Sequence, residues 1–213
     1  MSEKTLDRRR LVHLGLGALG AVLVPAAPLL GSRGRPCDSA GPEAHLAPEG
    51  EPGEPLRVEG LLFAPDGVTP ASGVVVYAYQ TDATGLYSHR RGEPPRLRGW
   101  MRTDGNGRFS YRTIRPAPYP GGRIPAHVHH QLWGGGYPPQ GSEALLFDDD
   151  PLVDASERNR SNALGPFAFV RKVETGPDGE RLVKIRVRLK SKGDTFEESV
   201  RHGLDACGVE VPR

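Results

Sequence analysis

Tyr87, Tyr119, His127 and His129 are the residues whose types and spacing point to chemistry. On an extended strand positions i and i+2 face the same side, so His127 and His129 can bring two imidazoles to one metal while His130 turns away. An H-x-H pair alone is a weak signal, because zinc lyases and cupins carry it too. A cupin would add a Glu a few residues on and a later His, but residues 131–137 hold no acid and the only downstream histidine is His202. The tyrosines separate the remaining metals. Phenolate is a hard, strongly donating oxygen ligand with a free pKa of about 10, and a trivalent cation can hold it deprotonated at neutral pH. Two Tyr and two His therefore suit Fe(III) better than Zn(II), whose sites favour nitrogen and sulfur. Taken singly, each tyrosine also reads as a packing aromatic.

Such side chains need rigid elements to position them, and the chain supplies several strands. Residues 56–64 are apolar and close on the Pro65-Asp66-Gly67 turn. Residues 73–80, GVVVYAYQ, are dense in β-branched and aromatic types and read as a buried strand. Arg108–Ile114 follows the Asp104-Gly105-Asn106-Gly107 turn and alternates Phe109, Tyr111 and Thr113 against Ser110 and Arg112. Residues 126–132 form a strand that carries both histidines. A strand over 144–147 ends in Asp148-Asp149-Asp150, read as a solvated turn before Pro151. Residues 166–174 and 181–190 flank the Pro177-Asp178-Gly179 turn as a hairpin. Its second arm points Val183, Ile185, Val187 and Leu189 one way and Lys184, Arg186, Arg188 and Lys190 the other. Only residues 194–204 suggest a helix of any length. Seven or eight short strands with long loops make the expected fold all-β, a β-sandwich.

Composition fits that class. Gly 28 and Pro 21 are spread between apolar runs as turn punctuation, and 213 residues suffice for one domain plus a leader. The formal charge of +2 comes without a basic stripe, so nucleic acid is not an expected partner. The chain divides into a leader at 1–30, an extended arm or linker at 31–55, the sandwich at 56–190 and a tail at 191–213. In the leader, Arg8, Arg9 and Arg10 precede an apolar stretch that contains His13 and is broken by Pro25 and Pro28. This is the pattern of a secretory signal. The arginines with Leu11 resemble a twin-arginine leader, which implies export to the periplasm or beyond; left uncleaved, the same stretch would be a membrane anchor. Cys37 and Cys207 are the only cysteines, and two readings stand: a disulfide formed in an oxidising compartment, or two unrelated thiols.

In order along the chain, these features resemble a known family. Residues 79–89, YQTDATGLYSH, are similar to the segment W-Q-A-N-A-x-G-x-Y-x-H that delivers the first tyrosine of intradiol ring-cleavage dioxygenases. Arg98-Gly99, Thr103-Asp104, Gly107 and the run from Thr113 to Pro116 match its following signposts. Tyr119-Pro120 looks like the second tyrosine, residues 125–129 resemble P-A-H-I-H, and residues 147–151 resemble the end of Y-F-x-x-D-P. The resemblance spans 56–151. It implies one Fe(III) per chain, with Tyr87 and His127 as equatorial ligands, Tyr119 and His129 as the axial pair, and a small aromatic diol and O2 as partners. It also implies that Tyr119 is displaced by substrate and takes its proton, and that the ring opens to a cis,cis-muconate-type diacid. Tyr79 is expected beside the substrate pocket. The family's arginine three residues before the first histidine is replaced by Ile124; Arg123, one place earlier, is the expected substitute, re-aimed by a bulge. Ala144 stands where the family has a Gln, and a homo-oligomer is compatible with the sequence.

Two other readings remain. A metal-free exported β-sandwich of prealbumin type that binds a partner would explain the strands and the leader, but not two tyrosines and two histidines in this order. A zinc-dependent hydrolase would want an acidic general base near the H-x-H, which the sequence does not supply.

Overall fold

The computed structural model describes residues 34–211; the leader reading, with His13, falls outside them. Among the described residues eleven strands occur: β1 (Glu43–His45), β2 (Pro55–Phe63), β3 (Val74–Gln80), β4 (Leu97–Arg102), β5 (Arg108–Ile114), β6 (His127–Gly134), β7 (Tyr137–Gly141), β8 (Leu145–Phe147), β9 (Val170–Arg171), β10 (Val173–Thr175) and β11 (Arg181–Arg188). Helix α1 (Ala155–Ala163) lies between β8 and β9, and α2 (His202–Ala206) follows β11. One sheet has the order β1-β5-β2-β11-β10, and the other β4-β3-β6-β8-β9 with β7 beside β6. The fold is therefore the expected all-β sandwich.

The two sheets meet through one apolar core. Val58, Leu62, Phe109, Tyr111, Val183 and Ile185 from the first sheet pack against Val74, Val76, Ala78, Val128 and Leu132 from the second. These residues occupy alternate positions along their strands, as pleated geometry requires. Gly60 keeps its place in the alternation for a steric reason: a Cβ there would come within 2.1 Å of the Phe109 ring, which pairs across from it and fills the space. β3 is buried along its whole length, because its outward face is covered as well.

Several elements differ from the sequence expectation. The strand number exceeds seven or eight because β1, β8, β9 and β10 are only two or three residues long, too short to show alternation. Residues 166–174 are not one strand. A 3-10 turn at Gly165–Phe167 leads into β9, which pairs with β8, and then β10, which pairs with β11 in the other sheet. The chain crosses between sheets there. Residues 36–55 are extended but packed, since β1 lies parallel to β5 and Leu46 is buried in the core. Helix α1 was hidden by its polar composition, yet Asp154 and Glu157 form a capping box at its start. Residues 194–204 yield only a 3-10 turn at Glu198–Val200 and the beginning of five-residue α2. Cys37 and Cys207 lie at disulfide distance with Cα atoms 6.0 Å apart, the spacing that the first of the two readings needs.

Candidate metal centre

Two loops and one strand assemble the four donors. Beyond β3 the chain enters an Asx-type turn in which buried Asp82 accepts bonds from the Thr84 N–H at 2.8 Å, the Thr84 hydroxyl at 2.6 Å and the Leu86 N–H at 3.1 Å. Burial would raise the Asp82 carboxyl pKa, but these bonds and the Arg96 guanidinium outweigh it and hold the group below the usual range. Gly85 then takes a φ of +82°, and a Cβ there would sit 2.2 Å from the Pro118 carbonyl oxygen, so only glycine lets the Tyr87 loop lie against the Tyr119 loop. Gln80 donates to the Ile114 carbonyl at 2.8 Å and Thr81 to the Ala117 carbonyl at 2.7 Å. The two tyrosine loops are thus tied to each other before either side chain reaches the site.

β6 brings the histidines. His127 and His129 share the outer face of the second sheet, while His130 points into the core and pairs with the Tyr111 hydroxyl at 2.9 Å. The start of β6 is fixed by Asp150, which is buried and accepts from the Ala126 N–H at 2.8 Å. That role corrects the reading of the acidic triplet as a merely solvated turn. The Pro125 carbonyl can only accept, so the 2.7 Å contact with His127 Nδ1 places the proton on Nδ1 and leaves Nε2 free to bind a cation.

The donor atoms converge. Tyr87 Oη lies 2.7 Å from Tyr119 Oη, 3.2 Å from His127 Nε2 and 3.0 Å from His129 Nε2, and Tyr119 Oη lies 3.2 Å from His127 Nε2. These separations suit edges of a coordination polyhedron with bonds of about 2.0–2.1 Å. Burial, then the bond to Tyr119, pushes the Tyr87 phenol well above its ordinary pKa, so only a strong local cation would leave it ionised. Burial, then the neighbouring His127, lowers His129 to about 4, which keeps its imidazole neutral and ligand-competent. Two imidazoles and two phenols without a carboxylate fit a hard, highly charged ion. Among the described residues no group of three or more His, Cys, Asp or Glu could hold a metal, so this donor set is distinguished by its tyrosines.

A cavity of about 280 Å³ opens onto the donors and is lined by Tyr119, His127, His129, Ile124, Ala144 and Arg160, among others. Larger cavities exist, including one of about 650 Å³ beside β11, but no comparable set of donors converges there, so chemistry rather than size selects the smaller one. Two residues expected at the pocket do not line this cavity. Arg123 is exposed and is not among the residues lining the cavity, whereas its neighbour Ile124 is. Tyr79 is 5% exposed and does not line the cavity; it stacks behind His129 with ring centroids 4.8 Å apart. Arg160 of α1 supplies a guanidinium at the wall that nothing in the motif spacing announced.

Comparison with known proteins fits this geometry. The family described as Dioxygenase matches residues 27–182. The chain belongs to the intradiol ring-cleavage dioxygenase family. This family member is 32% identical over 117 residues to the protocatechuate 3,4-dioxygenase beta chain of Burkholderia cepacia, covering 49% of each. It is 34% identical over 106 residues to a 6-chlorohydroxyquinol 1,2-dioxygenase of Cupriavidus pinatubonensis, covering 41% of this chain and 38% of that one. The chain thus spans about half or less of the length of these curated relatives. Among solved structures, the dioxygenase domain of a dioxygenase and carbohydrate-binding fusion from Streptomyces sp. SirexAA-E superposes with a TM-score of 0.54 at 28% identity, covering 72% of this chain and 90% of that one. The 3-chlorocatechol 1,2-dioxygenase of Rhodococcus opacus 1CP shares the fold with a TM-score of 0.56 at 23% identity, covering 72% and 68%.

Proposed function

We propose that the chain is a non-haem Fe(III) intradiol dioxygenase that inserts both atoms of O2 into a catechol-like diol and gives a cis,cis-muconate-type diacid. The observation that carries this reading is the convergence of Tyr87 Oη, Tyr119 Oη, His127 Nε2 and His129 Nε2 beside a cavity sized for one aromatic ring. Ferric iron held by these four, one per chain, would supply a Lewis-acid centre for the diol oxygens and for chemistry with O2. The protein's own groups do the rest. Tyr119 lines the cavity and Tyr87 does not, so Tyr119, held as a phenolate by the cation, would be the oxygen placed to take a proton from the diol and become a neutral phenol. The Pro125 carbonyl holds His127 in one tautomer, and Ile124, Leu146 and Phe169 supply apolar contacts that can orient a ring. A metal-free binding module would leave the four converging donors without a role.

Elemental analysis and oxygen uptake test the reading. Protein expressed with iron should hold about one iron per chain, be burgundy to red from tyrosinate charge transfer, and consume O2 with at least one of catechol, protocatechuate, hydroxyquinol or a halogenated catechol. Colourless protein containing zinc or no metal would sink it. We also read residues 1–30 as a twin-arginine-type export leader, a reading supported by a cysteine pair suited to an oxidising compartment. Cell fractionation that left the chain in the cytoplasm would exclude export.

A further inference from the structure

The two histidines of the site are held differently. His127 has its Nδ1 fixed by the Pro125 carbonyl, whereas among the described residues the imidazole of His129 has no hydrogen bond except the one between Nε2 and the Tyr87 hydroxyl. Its ring orientation therefore rests on packing. Tyr79, directly opposite in the strand register, stacks on it at 4.8 Å with an interplanar angle of 21°. Tyr79 is braced in turn by Tyr77 at 5.4 Å on its own strand and by the edge of the His202 ring at 4.8 Å and 84°. The rings form a row from the C-terminal segment to the site.

His202 is half-buried against this row. Its Nδ1 meets the Tyr77 hydroxyl at 2.8 Å. The next residue, Gly203, lies so close to the Tyr77 ring that a Cβ would come within 2.2 Å of it, and its carbonyl accepts from Trp100 Nε1 at 3.3 Å. A helix of five residues has little stability alone. What holds α2 down is buried Leu204 and the disulfide from Cys207 to Cys37, whose own carbonyl is gripped by Arg102 at 2.8 Å.

We propose that His202 is a positioning residue of the metal centre, acting through Tyr79 on the ring of His129, and that the Cys37–Cys207 disulfide keeps it in place. The metal site is then complete only when the tail is docked and the disulfide closed, which links its maturation to an oxidising compartment. Loss of a group that orients a ligand typically lowers metal affinity on the order of 10–100-fold.

The inference rests on the four-donor reading, so its test includes a measurement without metal. In the metal-free full chain, imidazole NMR should show His129 as one sharp resonance shifted by the Tyr79 ring current. In His202→Ala that resonance should broaden and move towards its unstacked position, while the unfolding temperature changes little because Leu204 and the disulfide remain. In the iron-loaded chain the same variant should shift the charge-transfer band and lose iron to a chelator about tenfold faster. His202→Phe keeps the ring edge and should recover most of both signals. The double variant Cys37→Ser/Cys207→Ser, used because thiol reductants would also reduce ferric iron, should mimic His202→Ala, and combining the two should add nothing. A His129 resonance and iron-loss rate unchanged in His202→Ala would overturn the positioning role. A Phe variant no better than Ala would overturn the ring-contact route, and additive effects would overturn the part given to the disulfide. If the parent bound no iron but the NMR changes appeared, the iron reading would fail and the positioning would stand.

Discussion

On the outer face of the β1-β5-β2-β11-β10 sheet the side chains are Arg57, Glu59, Lys184 and Arg186; on the outer face of its partner they are Tyr77, Tyr79, His129 and Trp133. Both sheets alternate with period two and share one core. The first outer face meets water, and its Arg57–Glu59 pair at 3.0 Å is of the exposed kind that contributes about 0–1 kcal/mol. The second is aromatic and imidazole-rich, so it must be covered, and the chain covers it with its own C-terminal segment. The side of a sheet that carries chemistry is here the side that needs a second layer, and the donors sit where that layer ends.

The sharpest way to break this comparison is to remove a large side chain from the covered face. Tyr77→Ala should cost about 3–5 kcal/mol in denaturant unfolding, since it deletes a fully buried ring and strands His202. A cost under 1 kcal/mol would mean that the covered face behaves like the solvated one. Opening the cover covalently comes next: Cys37→Ser/Cys207→Ser should lower stability by about 2–4 kcal/mol, read by the same unfolding curves.

Tyr119→Phe probes the chemistry at the end of the covered face without disturbing its packing. It keeps the ring but removes the ligand oxygen and the base, so turnover should fall about 100-fold, equivalent to about 2.7 kcal/mol, and the visible band should shift. Tyr111→Phe, far inside the core, is the control for general loss of stability. Parent-like turnover and spectrum in Tyr119→Phe would move the oxygen ligand elsewhere.

A smaller effect is expected with pH. Burial first, and the nearby Arg98 charge second, lower His202 from 6.5 to about 4, against an opposing contribution from Asp205. The folded state thus binds this proton less readily than the unfolded chain. The associated stability is fully present above pH 6.5 and is lost as pH falls through about 4. His202→Gln should flatten that part of the stability profile of the metal-free protein. Arg57→Ala on the solvated face should change stability by no more than about 0.5 kcal/mol at any pH.

The sandwich and its main strands were legible because β2, β3, β5, β6 and β11 each run for seven residues or more, β5 and β11 with plain alternation and β2 and β3 as apolar runs closed by turn residues. Helix α1 was not, because its residues are polar on every side and its only signal is the capping box at Asp154 and Glu157. The four donors could be named from H-x-H spacing, tyrosine chemistry and family resemblance. The same resemblance set Arg123 and Tyr79 at the pocket, and neither lines the cavity beside the donors. Which way a loop residue points depends on what it packs against, and Ile124 takes the wall while Arg123 meets solvent.

What the amino-acid order determined by itself is therefore everything set by local geometry: strand faces, turn glycines such as Gly85, the shared face of His127 and His129, and the donor chemistry that favours a trivalent cation. Only the tertiary structure decided which distant groups support those donors. Asp150 grips the start of β6, Arg160 reaches the cavity from α1, and His202 returns from the tail to the ring behind His129. No periodicity encodes such contacts, because each joins segments that meet only once strands, α1 and the tail have packed together.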